Sequence, residues 1–374
     1  MRVTGIVAEY NPFHTGHQYH IQKARQETEA DGIVAVMSGS FVQRGEPAVF
    51  DKWMRALHAL QGGVDLVLEL PTLYALSSAE HFAHGAVETL RKTGVVSALS
   101  FGSECGDVEK LRLAAKILEE EPPDFKEELR RNLQMGKSYA AAQATALSKV
   151  DREVGDVLSA PNNILAVSYL RLLGSDICAH TVKREGTGYL ETETSGAFSS
   201  ALSLREKLRG RGDVGVYMPY NIEGIPVHYI EQYEEYILYA LRTVNWKAYP
   251  TIPEGVKNRL TVCSGLDTVL EKAKTKHLAM AAIKRALWQI VLQNTLLPKA
   301  EPSYIRVLGF TPKGAEILKK MKKTAGLPVI TRPAAFKENC PIWELEKRAT
   351  DIYFMPMHLS GQDLKRAPIQ WGEE

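Results

Sequence analysis

Cysteine is scarce and scattered: Cys105, Cys178, Cys263 and Cys340 stand alone among 374 residues, with no C-x-x-C pair. Such spacing supports neither a disulfide framework nor a zinc knuckle, so free thiols are expected. Long apolar runs are missing too. The best candidate, Val64 to Leu76, is broken by Asp65, Glu69 and Pro71, which excludes the run of roughly 18 apolar residues that a membrane span needs. The N-terminal apolar stretch meets Glu9 and Asn11 too early for a signal peptide. A soluble, cytoplasmic chain with no membrane partner is the expectation. An apolar share of 45% rules out disorder for most of the length, which allows two or three domains.

An overall charge excess is also lacking, because 46 basic residues face 44 acidic ones. Position tells more than the total. Residues 1–210 hold 23 Lys+Arg against 27 Asp+Glu, whereas residues 211–374 hold 23 against 17. From Lys272 to Lys337 there are 14 basic residues, and Glu301 and Glu316 are the only acids. A run of this kind is either a solvated helical face or the footprint of a polyanion. The near absence of interspersed acids favours the polyanion.

What is present in the first half is alternation. β-Branched runs at Val3–Ala8, Gly32–Met37, Val64–Leu70, Val95–Phe101 and Asp176–Val182 alternate with helical patterns at His17–Glu29, Asp51–Leu60, Ala79–Lys92, Val108–Glu119, Phe125–Val150 and Ile164–Leu173. This rhythm predicts an α/β fold with a parallel sheet covered by helices on both faces. Ligands of such folds collect at the carboxyl ends of the strands. Beyond Arg209-Gly210-Arg211-Gly212-Asp213 the rhythm fades, and Tyr229–Arg242, Leu278–Leu292, Gly314–Lys323 and Trp343–Ile352 read as helices. Two domains are therefore expected, 1–210 and 211–374, the second mainly helical and basic.

The strongest chemical signal follows the first strand, where the chain reads Tyr10-Asn11-Pro12-Phe13-His14-Thr15-Gly16-His17 and then opens a helix. Gly16 permits close approach of a phosphate, the helix N-terminus offers free N–H groups, and two imidazoles can donate to phosphate oxygens. That set suits attack at the α-phosphate of a nucleoside triphosphate with pyrophosphate leaving. The bland reading is a polar helix cap with two surface histidines. A metal site is a further reading, since His14, His17 and His20, like His81 and His84, recur at helical spacing. No acidic or cysteine ligand pattern accompanies them, so no metal is assigned.

The H-x-G-H turn resembles the signature of the nucleotidyltransferase superfamily that includes class I aminoacyl-tRNA synthetases. More closely, the chain resembles the bacterial tRNA(Met) cytidine acetate ligases. The matching stretches are Ile6 to His17, Gly39 to Ala48, Phe101-Gly102-Ser103-Glu104 and Pro161-Asn162-Asn163-Ile164-Leu165, with weaker similarity at Lys274-Thr275-Lys276 and Arg348 to Tyr353. The resemblance implies a HIGH-type, Rossmann-like nucleotidyltransferase domain followed by a tRNA-binding domain. It implies that ATP, with Mg2+, activates acetate as acetyl-adenylate, and that the acetyl group passes to N4 of the wobble cytidine of elongator tRNA(Met). No stretch resembles the glycine-rich loop of an acetyl-CoA-dependent acetyltransferase.

Carried onto this sequence, the ATP site comprises Val7, Ala8, Glu9, Tyr10, Asn11, Pro12, Phe13, His14, Thr15, Gly16, His17, Gln18, Tyr19 and His20 around the triphosphate, with His14 and His17 catalytic. Gly102 then lies near the nucleoside, and Asn162, Arg184 and Arg205 complete the site. Each of these also has a plainer reading: Gly102 as a strand-end turn, Asn162 as a helix N-cap, Arg184 and Arg205 as solvated charges. In Ser199-Ser200-Ala201-Leu202-Ser203-Leu204-Arg205, Leu202 stands where threonine is common, leaving open which hydroxyl meets phosphate. Gln43, Arg44 and Glu46 either bind substrate or form ordinary loop salt bridges. The basic run supplies the expected tRNA contacts Lys272, Lys274, Lys276, Lys284, Arg285, Lys319, Lys320, Lys322 and Lys323. Ile317, Leu318 and Met321 should form one buried stripe that leaves the last four lysines outward. Two other functions remain open: an adenylyltransferase making a small cofactor, which leaves the basic run without purpose, and a catalytically silent RNA- or ribosome-binding protein, against which the intact His14, Gly16 and His17 argue.

Overall fold

The computed structural model describes residues 1–184, 199–249, 252, 254–260, 264–274 and 279–372. Its strands are β1 (Val3–Ala8), β2 (Gly32–Ser38), β3 (Phe41–Val42), β4 (Glu46–Pro47), β5 (Leu66–Leu70), β6 (Ala98–Ser103), β7 (Cys178–Lys183), β8 (Ile305–Phe310), β9 (Val329–Ile330) and β10 (Ile369–Gln370). The main sheet runs β10-β8-β5-β2-β1-β6-β7, with β9 on β8, while β3 and β4 form a separate hairpin. β5, β2, β1, β6 and β7 are mutually parallel. Every residue of β2 and β5 is buried, as expected of parallel strands covered on both faces. Ile6, Ile33, Ala35 and Met37 pack under helices Thr15–Glu27 and Lys52–Gln61 on one face. Val3, Val34, Val36 and Leu68 share the opposite core with helices Ala79–Lys92, Val108–Glu120 and Pro161–Leu170.

From β1 the chain builds outward through β2 and β5, then returns to the other side of β1 to lay down β6 and β7. The carboxyl ends of β1 and β6 thus flank the crevice where the direction of winding reverses, the usual ligand position in open α/β sheets.

The second half is mainly helical, as expected, but it also adds strands to the main sheet. β8 pairs antiparallel with β5, and β9 and β10 pair with β8. The sequence hides β8 because Arg306 interrupts its apolar pattern, yet that residue is only 1% exposed. It is paired with Asp363, and Glu69 Oε2 lies 3.3 Å from its Nε. The cut after residue 210 therefore leaves strands of one sheet on both sides. Just past it, Thr15 N donates to Tyr217 O at 2.9 Å and the Tyr220 hydroxyl donates to Phe13 O, so this segment docks on the H-x-G-H turn. The expected helix Phe125–Val150 is two helices, Pro123–Gln134 and Tyr139–Val150. Gly136 at φ +78° ends the first, and the Ser138 side chain caps the second.

Arg306 belongs to a buried cluster of five charges. Lys52 Nζ lies 2.5 Å from Glu69 Oε1, 2.9 Å from Asp363 Oδ1 and 3.4 Å from Glu346 Oε1. Glu346 also accepts from Thr72 N at 2.6 Å. Three carboxylates face two cations, drawn from both halves of the chain.

Helix Pro312–Thr324 crosses the amino ends of the strands. Thr311 N donates to Asp65 O at 2.9 Å, just before β5, and Thr324 Oγ1 donates to Thr93 O at 3.0 Å, before β6. Gly314 permits the approach, since a Cβ there would stand 2.0 Å from Asp65 O. Ile317, Leu318 and Met321 are buried and Lys319, Lys320, Lys322 and Lys323 are exposed, as the stripe predicted.

Candidate active site

A cavity of about 240 Å³ opens at the carboxyl ends of β1 and β6. Of the expected ATP-site residues, Val7, Ala8, Glu9, Tyr10, Asn11, His14, Gly16, His17, Tyr19, His20, Gly102, Asn162, Arg184 and Arg205 line it. Pro12, Phe13, Thr15 and Gln18 do not. Phe13 is core, packed edge-on to Tyr10, and Gln18 faces a separate groove beside Ile21 and Arg25.

The two histidines cap the helix they open. Gly16 N donates to His14 Nδ1 at 3.1 Å, and His14 N donates back to His17 Nδ1 at 3.3 Å. This is a capping box built from imidazoles, which satisfies N–H groups that a helix start otherwise leaves free. The cap reading and the chemical reading therefore hold together. With Nδ1 of each ring engaged as an acceptor, the proton of each neutral imidazole sits on Nε2, the donor it can offer to a ligand. Burial, with Arg184 and Arg205 nearby, pushes the His14 imidazole down to about 3. Burial and the neighbouring His14 hold His17 well below its ordinary value. Burial, His180 and Arg184 bring His20 down to about 4. Near neutral pH all three rings are uncharged.

The turn is held from both sides. Asn11 Oδ1 accepts from Val49 N at 2.7 Å, and Asn11 O accepts from Arg205 Nη1 at 2.6 Å. Arg55, fully buried, donates to the carbonyls of Glu9 at 2.6 Å, Ser38 at 3.0 Å and Phe50 at 2.9 Å. Sequence reading had no signal for Arg55, because a lone arginine on an amphipathic helix resembles a surface charge.

The opposite wall brings together Gly102, Asn162, Arg184 and the Ser199–Arg205 segment. A Cβ at Gly102 would touch Arg184 Cγ at 3.4 Å, so the glycine keeps the floor low beneath the arginine. Asn162 is not the N-cap of its helix. Pro161 starts that helix, and the Glu104 carboxylate caps it, accepting from Asn163 N at 2.9 Å and from Asn162 Nδ2 at 2.7 Å. Ser200 caps helix Ala201–Arg209 through Ser203 N at 3.1 Å. Ser199 Oγ is buried in the pocket wall with no hydrogen-bond partner among the described residues. The cation-rich side of the cavity is thus edged by two helix starts, two arginines and one unpaired hydroxyl, an arrangement suited to a polyphosphate.

Sequence reasoning missed the apolar side, where Phe82, Phe101, Leu165, Tyr169 and Val182 line the cavity. Helix and strand periodicity marks such residues as core and carries no sign that one edge of them faces a ligand. Gln43 and Arg44 reach the pocket, whereas Glu46 pairs with Lys284.

The basic residues do not form one surface. Lys284, with its neighbour Arg285, grips the β3–β4 loop: Arg285 Nη1 donates to Gln43 O at 2.9 Å, beside Trp288 Nε1 donating to Gly45 O at 2.9 Å. Lys272 and Lys274 are exposed near the end of helix Leu266–Ala273. Lys276 lies outside the described residues. The four lysines of Pro312–Thr324 sit at the amino edge of the sheet, opposite the cavity.

The model of the HIGH Nucleotidyl Transferase family matches residues 1–366. The chain is 43% identical to the tRNA(Met) cytidine acetate ligase of Clostridium kluyveri, over 89% of this chain and 90% of that one. It is 40% identical to that of Caldanaerobacter subterraneus, over 94% and 95%. Among solved structures it is similar to Thermotoga maritima TmcAL in its apo form and in a form bound with alpha-thio ATP, each at 34% identity and TM-score 0.89 over 99% of both chains.

Proposed function

The chain belongs to the tRNA(Met) cytidine acetate ligases within the HIGH nucleotidyl transferase family, and from that premise we propose how its cavity works. ATP binds with its α-phosphate at the turn from Tyr10 to His17, accompanied by Mg2+ as part of the substrate. Acetate attacks that phosphorus, pyrophosphate leaves, and the cytidine N4 of elongator tRNA(Met) then takes the acetyl group, releasing AMP. Cytosine's exocyclic amine is a poor nucleophile because its lone pair is delocalised, so the carboxyl has to be activated first. The carrying observation is the imidazole capping box, which fixes two neutral Nε2–H donors beside Arg184 and Arg205. Preorganised donors of this kind stabilise charge that grows on the phosphate oxygens in the transition state. Ser199 Oγ is the hydroxyl best placed for phosphate, since Ser200 is occupied as a cap.

Incubation with ATP, acetate and bulk tRNA, followed by digestion and nucleoside mass analysis, should yield N4-acetylcytidine, AMP and pyrophosphate. Acetyl-CoA without ATP should yield none. Product formed from acetyl-CoA alone would overturn the reading, and an adenylylated small metabolite in place of acetylcytidine would point to cofactor synthesis.

The tRNA backbone contacts are proposed to lie chiefly at the cavity mouth, where Arg44 and Lys183 stand, with Lys272 and Lys274 as outlying contacts. Neutralising Lys319, Lys320, Lys322 and Lys323 together is expected to weaken tRNA binding less than neutralising Arg44 and Lys183. The readout is the slope of log affinity against log salt, which flattens by roughly 0.7–0.9 for each phosphate that the protein no longer neutralises. A larger flattening from the four lysines would place the RNA across the amino edge.

A further inference from the structure

We propose that Glu9 accepts the proton that the cytidine N4 must lose as it takes the acetyl group, an assignment that rests on the ligase reading above. Glu9 is the one carboxylate among the described residues that line the cavity; the charged side chains around it are Arg44, Lys183, Arg184 and Arg205. Its placement is specific. Oε1 accepts from Gln43 N at 2.6 Å, while its own carbonyl is pinned by Arg55 at 2.6 Å. The side chain thus leans toward the β3–β4 loop. Its charge is felt by Tyr169 on the apolar wall and by Arg285 behind the loop.

The two capping histidines are committed elsewhere. His14 and His17 have committed Nδ1 to backbone N–H groups and carry their proton on Nε2, so accepting another proton would break the helix cap. His20 has its Nε2 3.1 Å from Ser100 Oγ. The cavity therefore divides into donors for the phosphate and, among the described residues, a single carboxylate beside an apolar wall. An aromatic base stacked on that wall would present N4 to Glu9, since an exocyclic amine donates and a carboxylate accepts.

In the transfer step the N4 electron pair forms a bond to the acetyl carbonyl carbon, and the carbonyl C–O bond to AMP breaks with its electrons leaving on the phosphate oxygen. One N–H proton passes to the Glu9 carboxylate, giving acetylcytidine, AMP and a protonated Glu9 that returns its proton to water. General-base assistance of this kind is worth roughly 10²–10⁴-fold.

Glu9→Gln tests it, because the amide oxygen can still receive Gln43 N. With enzyme, ATP and labelled acetate preloaded and tRNA then added, single-turnover transfer should fall by roughly 10²-fold, and acetyl-adenylate should accumulate on the enzyme. Acetate-dependent pyrophosphate exchange should fall by less than about tenfold, and Glu9→Asp should recover transfer at least about tenfold over Glu9→Gln. Transfer within about threefold of wild type overturns the proposal and leaves the AMP phosphate or water as the acceptor. Parallel loss of exchange and transfer overturns it by assigning Glu9 to the ATP step, and Glu9→Asp as slow as Glu9→Gln overturns it because a carboxylate restored at this position then brings back no proton transfer. Absence of acetate-dependent exchange in the wild-type protein would sink the ligase reading instead, a result distinct from all of these.

Discussion

Replacing His17 by alanine should slow acetate-dependent exchange of pyrophosphate into ATP by roughly 10²–10³-fold, the scale on which a lost oxyanion donor is felt. The substitution also removes half of the capping box, so a second variant separates the two effects. Asparagine is a good N-cap, and His14→Asn should keep the Thr15–Glu27 helix while losing the Nε2–H donor. Its thermal stability should stay close to wild type and its exchange rate should drop on the same scale as that of His17→Ala. The pH dependence gives an independent check. Because burial holds His14 at about 3 and His20 at about 4, with His17 also lowered, exchange should show no titration near 6.5, where a free imidazole would change charge. Exchange within about threefold of wild type in both variants would remove the histidines from the chemistry and leave them as caps alone.

Lys52→Met should cost about 3–5 kcal/mol of folding stability, measured by urea or thermal unfolding, because it strands buried carboxylates without their cation. Lys52 is 1% exposed and faces Glu69, Glu346 and Asp363. Arg306 alone cannot neutralise the carboxylates that stay ionised. Burial, with Glu346 beside it, pushes the Glu69 carboxyl up to about 8, so near pH 7 the native cluster retains a proton that the unfolded chain has lost. Stability from that proton is full below the ordinary carboxyl value and is lost as pH rises through about 8. Asp363 acts in the opposite sense: burial opposes its ionisation, but Lys52 and Arg306 hold it below its ordinary value, and that contribution is lost in acid. Wild-type stability should therefore decline from mildly acidic to mildly alkaline pH, and Glu69→Gln should flatten that decline. A Lys52→Met protein within about 1 kcal/mol of wild type would show that the cluster does not hold the two halves of the chain together as its geometry implies.

The parts of this molecule legible in the sequence are those whose signal is local. The alternation of β1, β2 and β5 with their helices survives translation into structure because each strand is mostly apolar. The turn from Tyr10 to His17 is legible for a similar reason: cap, glycine and histidines lie within one helical turn. β8 is not, since Arg306 becomes apolar in effect only once Asp363 and Glu69, far away in sequence, surround it. Lys284 and Arg285 show the limit of charge counting. A count gives the sign of a segment but not the direction of its side chains, and these two point inward to the β3–β4 loop. Asn162 does lie in the first turn of its helix, yet the cap comes from Glu104, a partner that helix-end propensity cannot name.

The late arrival of β8 has a consequence for how the chain is made. β5 ends at Leu70, and its partner begins only at Ile305. At about 5–20 residues per second, a nascent chain waits on the order of 10–50 s with that strand edge unpaired, a state prone to pairing with other chains. Over the same interval Glu69 has Lys52 as its sole cation, and Glu346 and Asp363 have not yet been synthesised. Emergence of the segment from Ile305 through Asp363 is thus the event that closes the sheet and completes its buried ion cluster, and a chain arrested before Arg306 should be far more aggregation-prone than its length alone implies.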